Sequence, residues 1–325
     1  AWQEFNVQLK RWSLVEDDSP TTHPIAGTVA DTDQTFLNFD GITYGKGGAV
    51  LKQLGARLGR AGFSAGLRLH FQRHAFGNAT LAEFLASLEE GSGVSLADWS
   101  AEWLRTSGPN RLGAVITPGA NGSIGNLTVT QEVVSGDNVL REHLLRVALL
   151  YPGDGQMVAI EPHEALVTGA RTDVPSAAGR PLPLAVIPNH DDLAVGKLGL
   201  DEGTLRFVET RMEAIPDGLL RQLTWMAIYE LVRDGRYPAA RYAQLLIDRL
   251  PHEVDSSIVQ GVVESTMSGL LLRYLPDGER ERWGSLIVDA ARARLDSARA
   301  VRALLEEHVR RNLLRVRGRV ASCRR

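Results

Sequence analysis

The sequence predicts a multidomain, mainly α-helical protein with a β-sandwich between two helical parts. Its 325 residues are enough for two or three domains of ~100–200 residues each. Apolar residues recur at helical spacing before residue 110 and again after residue 202, whereas glycine and proline interrupt short apolar runs in between. We therefore expect a helical domain over 1–109, a β-sandwich over 110–202 and a second helical domain over 203–325.

The first domain is predicted to consist of successive amphipathic helices. Leucines share one helix face over Leu51–Leu58, and Phe63–His74 continues the same rhythm in a second helix. Thr80 and Glu83 have the spacing of a capping box, which predicts that a third helix begins there. Gly108-Pro109 ends the last helix of this domain, because neither residue favours a continued helix.

Residues 110–202 are predicted to form an antiparallel β-sandwich. Glycine and proline recur every several residues, and the runs between them are too short for confident helices. Several runs alternate apolar and polar side chains, as strands with one buried face do. The predicted strands are Asn126–Val133, His143–Tyr151, Met157–Ile160 and Ala165–Thr168.

In the third domain the helical period returns. Pro238, Pro251 and Pro276 separate several of its apolar segments. Repeated helices with short connections are typical of an α-solenoid, which we expect to be incomplete here. The predicted helices are Leu219–Leu231, Ala240–Leu250, Ser256–Tyr274, Glu279–Arg294 and Ser297–Leu314.

The composition excludes several classes of protein. The single cysteine, Cys323, excludes an internal disulfide and every metal site built from several cysteines. No apolar run approaches the ~20 residues of a membrane helix. The net charge is −3, but residues 310–325 hold seven arginines and no acidic residue, so the remaining chain carries −10. An acidic body is not typical of a nucleic-acid-binding surface, and we expect neither nucleic acid nor a membrane as partner.

Three histidines are candidates for a functional role. His70 and His74 have the spacing of a zinc-binding pair on a helix, but Phe71 occupies the position where that motif requires glutamate. We therefore interpret them as one surface and one packed histidine. His23 lies in a segment with proline on both sides, and we interpret it as a hydrogen-bonded residue of an extended loop.

The segment Phe39–Gly48 combines a tyrosine with a cluster of glycines. Glycines before a helix can cradle a phosphate, but Lys46 is not followed by the serine or threonine of a P-loop, which argues against that function. Tyr44 at the helix start can donate a hydrogen bond to a developing oxyanion, or it can anchor the helix as a buried residue. Serine and cysteine hydrolases are not supported, because no Gly-x-Ser-x-Gly motif is present and Cys323 lies in an arginine-rich tail.

Five ordered blocks of the sequence resemble the gluzincin aminopeptidase N family of zinc metallo-aminopeptidases, in particular its actinobacterial members. The blocks are Asp18–Ile25, Phe39–Gly47, His74–Thr80, Asp98–Gly108 and Ile187–Leu193. The resemblance implies the C-terminal part of a thermolysin-like catalytic domain, then a β-sandwich, then a helical domain that closes over the site. It also implies zinc-dependent release of amino-terminal residues from peptides with a free amino terminus. The family tyrosine that stabilises the oxyanion of the tetrahedral intermediate corresponds to Tyr44.

The sequence departs from that family in one respect. Neither its zinc motif, His-Glu-x-x-His with a further glutamate, nor its Gly-x-Met-Glu-Asn loop is found in the 325 residues. We therefore expect Zn²⁺ through the resemblance alone, with its ligands and the general base outside this chain. The chain by itself is expected to be an inactive, truncated fragment, located in the cytoplasm. A non-catalytic module that binds a peptide or a protein is the alternative.

Overall fold

The computed structural model describes residues 1–293, and its first 104 residues are largely helical. The helices are α1 (Trp2–Phe5, the π-helical turn Asn6–Lys10, and Arg11–Asp17), α2 (Thr32–Leu37), α3 (the π-helical turn Ile42–Lys46, and Gly47–Arg73), α4 (Leu81–Ser92) and α5 (Ala97–Leu104). The predicted helix Ser297–Leu314, the arginine-rich tail and Cys323 lie outside the described residues. The end of the predicted domain at residue 325 also lies outside them.

Helices α3, α4 and α5 enclose an apolar core. Leu54, Leu88 and Trp103 lie at its centre, and each is at most 1% exposed. The predicted apolar face of α3 supplies Leu54, whereas Leu51 at its edge remains 44% exposed. Burying a leucine side chain stabilises the fold by about 1.5–3 kcal/mol, so this shared core holds the three helices together.

The ends and the bend of these helices follow from local sequence. The Thr80 side chain accepts a hydrogen bond from the Glu83 backbone N–H, and the Glu83 side chain accepts one from the Thr80 backbone N–H, so the predicted capping box is confirmed. The two helices predicted before residue 78 are two halves of α3. They meet at Gly59, whose φ of +67° bends the helix and is accessible to glycine without strain.

Residues 110–198 form two small sheets that share one apolar core. The strands are β1 (Asn110–Pro118), β2 (Ile124–Val133), β3 (His143–Pro152), β4 (Val158–Val167), β5 (Arg171–Asp173), β6 (Ala185–His190) and β7 (Lys197–Leu198). The sheets have the orders β5-β2-β1-β7 and β4-β3-β6. Leu112 and Leu127 of the first sheet and Val147 and Leu149 of the second are fully buried in the common core.

Two features of the sheets differ from the sequence prediction. The predicted strands Met157–Ile160 and Ala165–Thr168 are one strand, β4, with Pro162 inside it. Proline is tolerated there because β4 is an edge strand, which needs hydrogen-bond donors on one side only. Strand β7 pairs with β1 in parallel, whereas the other pairs are antiparallel as predicted.

The remaining described residues are helical and pack on the second sheet. The helices are α6 (Glu202–Arg211), α7 (Gly218–Arg233), α8 (Ala239–Arg249), α9 (Ser256–Ser265 with the π-helical continuation Thr266–Tyr274) and α10 (280–293). Trp225 and Ile228 of the central helix α7 share a core with Leu150 and Ile187 of the sheet. The α-solenoid and the domain boundaries at 109 and 202 remain predictions.

A buried ionic cluster joins all three parts of the chain. The ammonium of Lys197 on β7 bonds to Asp18 at the end of α1, and it lies 2.6 Å from Asp234 Oδ1 and 3.3 Å from Glu230 Oε2. The Lys197 side chain is 0% exposed. Burial disfavours its charge, but the carboxylates, with Glu230 foremost, raise the pKa of Lys197 above its ordinary value. The cluster therefore holds a permanent buried cation between helices and sheet.

Candidate active site

Tyr44 lies in the π-helical turn at the start of α3, and its side chain is accessible. Tyr44 is 43% exposed and Phe39 is 63% exposed, with ring centroids 4.7 Å apart in an edge-to-face arrangement. Within residues 1–293, no group forms a hydrogen bond with the Tyr44 hydroxyl. The alternative of a buried tyrosine that anchors the helix is therefore wrong, and the phenol is free to donate to a ligand.

Asp40 caps the turn that carries Tyr44. Its Oδ1 accepts a hydrogen bond from the Thr43 N–H at 2.9 Å, and its carbonyl accepts one from the Tyr44 N–H at 3.2 Å. Glu16 of α1 accepts one from the Gly41 N–H at 3.3 Å. These bonds satisfy N–H groups that a helix start leaves without a partner, so the backbone of the turn is fixed.

His23 contacts this cap from the preceding loop. Its Nε2 lies 2.7 Å from Asp40 Oδ2, and its Nδ1 lies 2.9 Å from the Pro24 carbonyl. Burial disfavours the charged ring, but the hydrogen bonds to Pro24 and Asp40 raise the pKa of His23 above its ordinary value. The prediction of a hydrogen-bonded loop histidine is confirmed, and the structure adds that its partner lies in the Tyr44 turn.

The glycines around Tyr44 form a helix contact rather than a phosphate cradle. Helix α3 begins at Ile42 with Gly41 as its N-cap, so the later glycines of the cluster lie inside the helix. Gly41, Gly45 and Gly48 face α1 at helical spacing, and a Cβ on Gly45 would lie 2.2 Å from the Leu9 carbonyl oxygen. The cluster thus permits α1 and α3 to approach closely at two π-helical turns, a type of turn frequent at functional sites.

Lys46 anchors the same turn on its inner side. It is 2% exposed, and its Nζ donates to Asp17 Oδ1 at 2.9 Å and to the Gly108 carbonyl at 3.4 Å. Burial lowers the pKa of Lys46, and the charge of Asp17 acts in the opposite direction. The Gly108 N–H also donates to Asp17, at 3.0 Å. The turn is therefore tied to the end of α1 and to the chain that leaves α5.

The histidine pair at the C-terminal end of α3 packs against other rings. The ring centroid of His70 lies 5.0 Å from that of His74 and 5.2 Å from that of Phe84 on α4, where the contact is edge to face. No third ligand accompanies the pair: within residues 1–293, no group of three His, Cys, Asp or Glu side chains converges as a metal site requires. The described residues therefore do not themselves fit a zinc ion. None of the described helices is long and apolar enough to cross a bilayer.

A second arrangement resembles a hydrolytic triad in its side chains only. Ser176 Oγ and Glu161 Oε1 each lie 3.0 Å from a ring nitrogen of His163 on β4. An acyl-transfer site also needs N–H donors that face the oxyanion. The N–H of Ala177, directly after the serine, is bonded to the Val174 carbonyl at 3.1 Å. The arrangement fixes the loop to the sheet, and sequence spacing gave no signal of it.

The N-terminal part of the chain matches a known protein family. The profile described as "Peptidase family M1 domain" matches residues 1–103, a range that contains Tyr44 and the elements around it. The remaining residues are not covered by that match.

Three relatives that match this chain are named as aminopeptidases. Aminopeptidase N of Streptomyces lividans is 36% identical over 269 residues, which are 81% of this chain and 31% of the relative. Probable aminopeptidase 2 of Sulfurisphaera tokodaii is 31% identical over 136 residues, 42% of this chain and 17% of the relative. Glutamyl aminopeptidase of Bos taurus is 37% identical over 116 residues, 33% of this chain and 12% of the relative. The chain thus spans less than a third of the length of these relatives.

Proposed function

Because this chain belongs to the aminopeptidase N family of metallopeptidases, we propose that it is part of a zinc-dependent aminopeptidase. The enzyme releases amino-terminal residues from peptides with a free amino terminus. Tyr44 is the residue of this chain that takes part in the reaction. A cytoplasmic location belongs to the same proposal, and the single cysteine of the sequence supports it.

The observation that carries the proposal is the state of the Tyr44 side chain. The side chain is exposed and its hydroxyl has no hydrogen-bond partner among residues 1–293, while hydrogen bonds and a glycine contact fix the backbone beneath it. A phenol can donate its proton in a hydrogen bond. A donor held in place before the reaction stabilises charge that develops on the scissile carbonyl oxygen without reorganisation at that moment. Tyr44 therefore stabilises the oxyanion.

Zinc is proposed from the family and not from this chain. In zinc peptidases the metal activates water and polarises the carbonyl. The described residues hold no cluster that fits the ion, and the 325-residue sequence lacks the His-Glu-x-x-His motif of the family, so we place the zinc ligands and the general base outside this chain. The chain alone then binds no stoichiometric zinc and hydrolyses no peptide.

This part of the proposal is tested on the purified 325-residue chain. After incubation with Zn²⁺ and dialysis, the zinc content and the hydrolysis of an aminoacyl p-nitroanilide are measured. We expect neither bound zinc at one equivalent nor release of nitroaniline. One equivalent of zinc with turnover would refute it. Tight binding of a peptide without hydrolysis would instead favour a non-catalytic binding module.

The role of Tyr44 is tested in a complete enzyme. In a chimera, the matched 81% of this chain replaces the matching 31% of the Streptomyces relative. The rest of the relative then supplies the zinc ligands and the general base. Tyr44→Phe is expected to lower kcat by about 10²–10³, the usual loss for one oxyanion donor. The matched control is Tyr151→Phe, because that hydroxyl donates to the Pro181 carbonyl at 3.0 Å in the sheet region. An unchanged kcat in Tyr44→Phe, with full activity of the control, would exclude Tyr44 from the reaction.

A further inference from the structure

The two hydrogen bonds of the His23 ring together require a charged imidazole. Each ring nitrogen faces an acceptor, the carbonyl oxygen of Pro24 at 2.9 Å and the Asp40 carboxylate at 2.7 Å. A carbonyl accepts hydrogen bonds only, and an ionised carboxylate does the same. Both nitrogens must therefore carry a proton for both bonds to form, and only the imidazolium does so.

Asp40 connects the His23 ring to the backbone of Tyr44 through hydrogen bonds. Its Oδ2 faces His23, its Oδ1 accepts from the Thr43 N–H, and its carbonyl accepts from the Tyr44 N–H. The side chains of His23 and Asp40 are 24% and 15% exposed. The ring is therefore reached by solvent protons, and it lies two hydrogen bonds from the backbone of Tyr44.

We propose that His23 is a positioning residue, whose imidazolium holds Asp40 and thereby fixes the turn that aims the Tyr44 hydroxyl. This inference rests on the proposed role of Tyr44. Loss of one ring proton leaves the ring with a single donor and no charge, so its hold on Asp40 is no longer charge-assisted and the turn loosens. The result is a site whose donor is held most firmly while His23 is charged.

Carboxylates from two elements determine when the ring is charged. Asp40 precedes α3 and Asp17 ends α1, and both charges raise the pKa of His23 against the effect of burial. Asp17 is itself paired with Lys46, and Glu16 contacts the Gly41 N–H. Because the folded-state pKa of His23 lies above the ordinary 6.5, the contact is complete below pH 6.5. The charge of the ring, and with it one of the two hydrogen bonds, is lost as the pH rises through the folded-state value.

The first test measures the turn without any catalysis. Amide hydrogen exchange of Thr43 and Tyr44 is followed in the 325-residue chain and in His23→Gln, which keeps one donor but cannot be charged. We expect about tenfold weaker protection of the two amides in the variant, as for loss of a hydrogen bond between charged groups. His74→Gln, at the C-cap of α3, is the matched control and should leave the two amides unchanged. Equal protection in His23→Gln and the original chain would overturn the proposal.

The second test uses the chimera and a double-mutant cycle. If His23 acts through Tyr44, His23→Gln lowers kcat about tenfold at an unchanged KM, and it has no further effect once Tyr44→Phe is present. The decline of kcat at high pH should also disappear in His23→Gln. If His23→Gln lowers kcat by the same factor with Tyr44 present and with Tyr44→Phe, the positioning role is overturned. A full kcat in Tyr44→Phe would instead refute the proposed function.

Asp40→Asn is a second test of the same contact, in case the His23→Gln variant does not fold. The amide oxygen of asparagine still accepts from the Thr43 N–H, but the side chain no longer pairs with a cation. This variant should reproduce the effect of His23→Gln on exchange and on kcat. A folded Asp40→Asn protein with unaltered exchange at Thr43 and Tyr44 would contradict the proposal as directly as His23→Gln would.

Discussion

Replacement of Gly45 by alanine should destabilise the protein, although alanine is the better helix former. The added Cβ would lie 2.2 Å from the Leu9 carbonyl oxygen and 2.9 Å from Ser13 Cβ. An ordinary contact requires about 3.4 Å, so α1 and α3 must separate by about 1 Å. Overpacking of this kind costs about 1–3 kcal/mol, against about 0.5–1 kcal/mol gained from helix propensity. We expect a net loss of about 1–2 kcal/mol in the free energy of unfolding.

Gly47→Ala is the matched control for this prediction. Gly47 lies two residues further along the same helix, and its nearest heavy atoms would be 3.8 Å from an added Cβ. There the substitution adds helix propensity without a clash, so it should stabilise the protein by about 0.5–1 kcal/mol. The expected changes in the free energy of unfolding have opposite signs in the two variants, and a systematic error of the measurement would shift both in the same direction.

The assay is urea unfolding of the 325-residue chain, followed by far-ultraviolet circular dichroism. Exchange of the Tyr44 amide is measured in the same samples, because a separation of α1 from α3 should also weaken its protection. Gly45→Ala should unfold at lower urea than the original chain, and Gly47→Ala at higher urea. If Gly45→Ala is as stable as Gly47→Ala, the close contact between the two π-helical turns does not exist as described.

Two further predictions concern buried ionisable groups. Burial lowers the pKa of His143 to about 3, so its contribution to stability is complete above pH 6.5 and is lost as the pH falls towards 3. His143→Phe should therefore reduce the difference between urea midpoints measured at pH 7 and pH 4.5, and an unchanged difference would contradict this. Lys197→Met should cost about 3–5 kcal/mol by thermal unfolding, because it leaves three carboxylates without their shared buried cation. Arg206→Met removes only an exposed helix pair with Glu202 and should cost less than about 0.5 kcal/mol; equal losses would refute the argument.

Contacts between residues close in sequence could be predicted, and those between distant residues could not. The capping box of Thr80 and Glu83 depends on two residues of one helical turn, so their spacing is sufficient to predict it. His23 and Asp40 are 17 positions apart across an irregular loop, and no periodicity connects them. The two blocks that contain them were nevertheless both part of the family resemblance.

The glycines near Tyr44 show why residue type alone could not predict their role. Glycine before a helix is compatible with an anion site and also with a close helix contact, and the choice depends on what lies opposite. At Gly45 the opposing element is α1, whose Leu9 is 36 positions earlier in the chain. Pro162 is a similar case, since a proline ends a central strand but is accepted at the edge position that β4 occupies.

The two adjacent aspartates at the end of α1 have a mechanical consequence. Asp17 binds Lys46 of α3, and Asp18 binds Lys197 of β7. The C-terminal end of α1 is therefore bound by ion pairs both to a helix and to a sheet. Relative rotation of these parts would expose buried charges without partners. The Tyr44 turn and the two sheets should consequently move as one rigid body, and any hinge motion within the described residues has to lie away from this junction.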